Sequence, residues 1–109
     1  KTRSGIPLND DYKTILEDVY QVVMERKALM PEGSYTSYLF SKGQDKILKK
    51  VGEETAEVII ASKNNKKEEV VYETADLLYH LTVLLAYHDY SWQDVFQELA
   101  HRRQNPKCE

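Results

Sequence analysis

Apolar residues recur along this chain at helical intervals, in four stretches separated by short polar breaks. The first predicted helix spans about Asp10–Lys27, with Ile15, Leu16, Val19, Val22 and Val23 on one side and Asn9 suited to cap its free amides. Pro31, Gly33 and Ser34 end the pattern. Ser34–Gly43 mixes aromatic and hydroxyl residues without a clean period and reads as a structured loop with room for a short helix. A second helix is predicted over Gln44–Lys63, with Ile47, Leu48, Val51, Thr55, Val58 and Ile59 in one stripe. Asn64 and Asn65 suit a left-handed helix end and a tight connection. The third helix, over Lys67–His88, has an apolar arc covering close to half the wheel: Val70, Val71, Ala75, Leu77, Leu78, Leu81, Leu84 and Leu85. That is wider than one packing partner needs. A fourth helix follows over Trp92–Arg103, with Ser91 and Asp94 resembling a capping box. Trp92 itself reads as core or dimer packing.

Short connections between four helices predict an all-α antiparallel bundle. The over-wide third helix, in a chain of only 109 residues, predicts a homodimer or higher homo-oligomer that covers the remaining apolar face. Residues 1–8 read as a tail or linker, where a junction to a fused partner would fall. Residues 9–104 form the predicted domain, and 105–109 a frayed end.

Composition narrows the partners. Charged residues make up 30 % and hydrophobic residues 41 %, the balance of a soluble globular domain. No apolar run is long enough for a bilayer. The net charge of −3 argues against a nucleic-acid binder. A single cysteine, Cys108, makes neither an internal disulfide nor a thiolate cluster, which fits a cytoplasmic setting. The glycines form no phosphate-binding loop, and no Ser-His-Asp or zinc-type histidine spacing is present.

What remains is acid. Glu53, Glu54 and Glu57 share an arc with Lys46 and Lys50 on the second helix, and Glu73 and Asp76 interrupt the apolar third helix. Spacings of three and four put these carboxylates one turn apart on common faces. Antiparallel helices would let Glu54 and Glu57 face Glu73 and Asp76 across a cleft. Crowded carboxylates repel and raise one another's pKa, a cost that a hard divalent cation such as Mg2+ removes. The plain alternative is a solvated acidic face, the usual fate of any one helical glutamate. The pair inside an apolar helix is what argues against it.

Three segments carry a resemblance over about residues 12–103: Gly33-Ser34-Tyr35-Thr36-Ser37-Tyr38-Leu39-Phe40, Lys42-Gly43-Gln44-Asp45-Lys46-Ile47-Leu48-Lys49-Lys50-Val51-Gly52-Glu53-Glu54, and Glu73-Thr74-Ala75-Asp76-Leu77-Leu78-Tyr79-His80-Leu81. They resemble the phosphoribosyl-ATP pyrophosphohydrolases of histidine biosynthesis, within a wider superfamily of all-helical nucleotide pyrophosphohydrolases. The resemblance implies Mg2+-dependent hydrolysis between the α and β phosphates of phosphoribosyl-ATP, by a dimer. Carried onto this chain, Glu54, Glu57, Glu73 and Asp76 are the expected metal ligands. Glu53 joins them or takes the proton of the attacking water, a role Glu54 shares as a catalytic candidate. Lys46 and Lys50 are expected at the phosphates, although Lys50 is also placed to pair with Glu54. Tyr35, Ser37 and Lys42 are candidates for substrate contact or for loop packing. His80, one turn beyond Asp76, is a candidate to bind substrate, to orient a ligand, or to serve as a hydrogen-bonded structural histidine. Two other functions stay open: a general nucleoside triphosphate pyrophosphohydrolase, and a non-enzymatic helical dimerisation module. A carboxylate-bridged di-iron bundle is disfavoured, since only Glu98 and His101 match its Glu-x-x-His spacing.

Overall fold

The structure, a computed structural model, describes residues 10–104. The expected cap at Asn9, the two tails and Cys108 lie outside the described residues. A 3-10 turn over Asp10–Thr14 leads into five α-helices: α1 (Ile15–Leu29), α2 (Tyr35–Lys42), α3 (Gln44–Lys63), α4 (Lys67–Tyr87) and α5 (Trp92–Gln104). The class is all-α, as the periodicity predicts.

One expectation is corrected. The α-helical part of the first segment begins five residues late, at Ile15, because the chain enters through the tighter 3-10 turn. The short helix for which the stretch Ser34–Gly43 left room is present and makes two turns. Ser34 sits at its N-cap with extended backbone, and its hydroxyl accepts from the Ser37 amide at 3.1 Å. Leu39 is fully buried from this helix. Gly43, with φ 92° and ψ −173°, reverses the chain between α2 and α3 in a region that only glycine enters freely.

The other boundaries follow their local signals. Asn65 takes φ 58° at the α3–α4 turn, and the Asn64 side chain donates to Glu69 Oε1 across it at 3.0 Å. Ser91 and Asp94 cap α5 reciprocally: the Ser91 amide donates to Asp94 Oδ2 at 2.9 Å, and the Asp94 amide to Ser91 Oγ at 3.4 Å.

The core joins Tyr20 and Val23 of α1, Leu39 of α2, Ile47 of α3, Val83 and Ala86 of α4, and Trp92 of α5. Trp92 is thus core, and its indole N–H donates to the buried Thr82 hydroxyl at 2.9 Å. Lys27 reaches from α1 to the end of α4, donating to the Ala86 carbonyl at 2.8 Å and to Asp89 at 2.9 Å. This satisfies carbonyls that a helix end leaves open. The α3–α4 hairpin is the main contact of the molecule, and its middle carries the acids.

Candidate active site

Helices α3 and α4 run antiparallel across a three-residue turn, so an advance along one meets a retreat along the other. Glu54 meets Asp76, and one turn further Glu57 and Glu73 feel one another's charge. The expected facing of the two motifs therefore exists. Within it the residues are unequal. Ligand atoms of Glu54, Asp76 and His80 lie within 4.8 Å of one another. Glu57 is exposed and Glu73 half-buried, and neither belongs to that tight group.

Glu54 is only 7 % exposed. Burial first, then a hydrogen bond and the charge of Asp76, push its pKa up, while His80 and Lys50 oppose the rise. The pKa of Glu73 is also raised, by desolvation and by Glu57, Asp76 and Glu69. Lys50 bridges both neighbours on its own helix, 3.5 Å from Glu54 Oε2 and 3.4 Å from Glu53 Oε1. Burial works against its ammonium, yet the Tyr35 hydroxyl and these carboxylates together raise its pKa. Glu53 itself points outward and is exposed.

His80 is 2 % exposed and both its ring nitrogens are engaged. Nδ1 lies 2.8 Å from the Asp76 carbonyl oxygen, which only accepts, so Nδ1 carries the proton. In the neutral ring Nε2 then accepts, and the Tyr35 hydroxyl donates to it at 2.9 Å. These two bonds tie α2 to the helical turn that bears Asp76. Tyr35 packs in an aromatic group with Tyr38, Tyr79 and His80.

Lys42 and Lys46 converge on the ring of Tyr38, 5.7 and 5.8 Å from its centroid. Ser37 is buried, and its hydroxyl makes no hydrogen bond in the protein. Tyr38 was not among the expected contacts, although Tyr38 and Lys42 stand at the i,i+4 spacing of a helix face.

An oxygen-rich set fits a hard cation: two carboxylates face one another, and the burial and neighbouring Asp76 that raise the pKa of Glu54 are a cost that a cation between them would relieve.

Facing acids on consecutive antiparallel helices, in an all-α frame, define the class of helical nucleotide pyrophosphohydrolases that the sequence resembles. A family model for phosphoribosyl-ATP pyrophosphohydrolase matches residues 16–103, and the chain belongs to that family. It is 60 % identical over 88 residues to a phosphoribosyl-ATP pyrophosphatase of Geobacter sulfurreducens, covering 81 % of this chain and 82 % of that protein. To the same enzyme of Pelotomaculum thermopropionicum it is 56 % identical over 92 residues, covering 84 % and 94 %. A histidine biosynthesis bifunctional protein HisIE of Caldanaerobacter subterraneus is 54 % identical over 93 residues, 85 % of this chain and 45 % of that protein.

Proposed function

We propose that this protein hydrolyses phosphoribosyl-ATP between its α and β phosphates, releasing phosphoribosyl-AMP and pyrophosphate, with Mg2+ as cofactor. The observation that carries the reading is the buried Glu54 set against Asp76 across the α3–α4 hairpin. Glu54 and Asp76 would hold the ion, with Glu57 and Glu73 completing the acidic wall one turn away. Bound there, Mg2+ would neutralise phosphate oxygens and lower the pKa of a water. The protein's own contribution is positional. Lys50 holds Glu54 and Glu53 in place. His80, braced by Tyr35, fixes the turn of α4 that aims Asp76. Glu53, exposed beside Lys50, is placed to accept a proton from the attacking water, with Glu54 as the second candidate. Lys42 and Lys46 present cations beside Tyr38 for phosphate contact.

A homodimer belongs to the same reading. Ile59 and Ile60 of α3 and Val71 of α4 are more than half exposed and sit side by side in the antiparallel hairpin. A second copy would cover them. Among the described residues no helix is long and apolar enough to cross a membrane. A cytoplasmic location suits a biosynthetic nucleotide hydrolase.

Pyrophosphate release from phosphoribosyl-ATP tests the activity. Turnover is expected with Mg2+ and none in EDTA. Glu54→Gln should lower kcat by about 10²–10⁴-fold, the range for losing a positioned acid–base group, and Asp76→Asn should lower activity by weakening the hold on Mg2+, an effect that added Mg2+ partly restores. Full activity in both variants would remove Glu54 and Asp76 from the site, and no turnover by the wild-type protein would leave a non-enzymatic helical module. Equal kcat/KM for plain ATP would move the substrate to general nucleoside triphosphates.

A further inference from the structure

Beside the acid site lies a larger concavity, of about 550 Å³. One wall is the α1 stripe Asp18, Val22 and Arg26, at i, i+4 and i+8, which extends about 12 Å along the helix. The other wall is Ser34, Thr36 and Tyr79. Tyr79 also lines a smaller cavity of about 270 Å³ that contains Asp76. One aromatic ring thus separates a carboxylate of the acid site from the α1 cavity. That ring is held in place, because the Tyr79 and Thr36 hydroxyls are hydrogen-bonded to each other.

Arg26 is the cation of this cavity. Among the described residues its side chain pairs with its sequence neighbour Glu25, through one nitrogen at 3.4 Å. A guanidinium has five donors in a planar fork that matches a phosphate. Its charge already reaches Tyr79, where it opposes the rise in pKa caused by burial. The volume suits a small-molecule arm. Asp18 stands two turns away, able to accept from sugar hydroxyls and wrongly charged for a phosphate, so an anion is sorted to the Arg26 end. Lys42 and Lys46 offer charge too, but on the Tyr38 edge and outside this cavity.

We propose that the α1 cavity takes the phosphoribosyl arm of the substrate, with Arg26 holding its terminal phosphate beside Ser34. The inference rests on the reading of the acid site as one that takes the polyphosphate of phosphoribosyl-ATP. That molecule is phosphorylated at two ends, and plain ATP at one. With the polyphosphate at Asp76 and the base over Tyr79, the second phosphate falls on the α1 side. Arg26 is then a specificity-determining residue that distinguishes the phosphoribosylated nucleotide from the plain one.

The test is competitive inhibition of the hydrolysis by phosphoribosyl-AMP and by AMP, which differ by the arm alone. Wild-type protein should bind phosphoribosyl-AMP about tenfold or more tightly than AMP, the worth of a charged hydrogen-bonded contact. Arg26→Gln should bring the two inhibition constants within about twofold, and Arg26→Lys should retain part of the preference. Thermal melting of both variants checks that the fold persists. A wild-type preference kept in Arg26→Gln overturns the subsite while leaving the activity intact. Unchanged inhibition constants with altered sedimentation would assign the cavity to a second copy. Wild-type protein that does not hydrolyse phosphoribosyl-ATP fails at the earlier step and overturns both readings.

Discussion

Thr82 is fully buried and spends its hydroxyl twice, donating to the Leu78 carbonyl at 2.7 Å and accepting from Trp92 at 2.9 Å. Replacing it with valine keeps the shape and strands a buried indole N–H. Thr82→Val should cost about 1–3 kcal/mol in urea unfolding, the penalty of an unsatisfied buried donor. Adding Trp92→Phe should then cost less than it does in the wild-type background, because the donor is gone. Additive effects would refute the bond. The carboxylates teach the same lesson at this scale. Glu54 and Glu57 are identical side chains one turn apart, yet one is buried against Asp76 and the other exposed. Spacing shows that they share a face of α3 and is silent on which of them the neighbouring helix covers. For His80 the periodicity is equally silent: its role depends on Tyr35, 45 positions away, and on the Asp76 carbonyl.

Helices α3, α4 and α5 were legible because their apolar stripes are long and their ends carry local chemistry, with Asn65 in the left-handed region and the Ser91–Asp94 cap. Helix α2 was legible only as room for a short helix. At eight residues it is too short to display a period, and half of its residues are β-branched or aromatic. Its existence depends on the Ser34 cap, on burial of Leu39 and on the turn at Gly43. That turn is open to a direct measurement. No atom lies within 4 Å of a methyl group added at Gly43, so Gly43→Ala meets no clash and suffers only from its backbone angles. It should destabilise the protein by about 1–3 kcal/mol. An unchanged melting temperature would show that α2 and α3 can join through another conformation.

For the molecule as a whole, the uncovered apolar face is the open quantity. Ile60 is 56 % exposed near the turn of the main hairpin and lines neither of the cavities that adjoin the acids. If a second copy covers it, Ile60→Glu should convert a dimer to a monomer in sedimentation, since burying an unpaired charge costs several kcal/mol. A wild-type monomer would remove the interface. Helical class, most helix boundaries and the grouping of acids on two faces were determined by the sequence alone, because they follow from the rise and rotation of one helix and from the chemistry at its ends. Pairing Glu54 with Asp76, bonding His80 between Tyr35 and the Asp76 carbonyl, and placing Arg26 in a cavity that shares Tyr79 with the one at Asp76 were decided only by the tertiary structure. Each depends on how one helix is set against another, and packing of the whole core, not spacing within a segment, chooses that register.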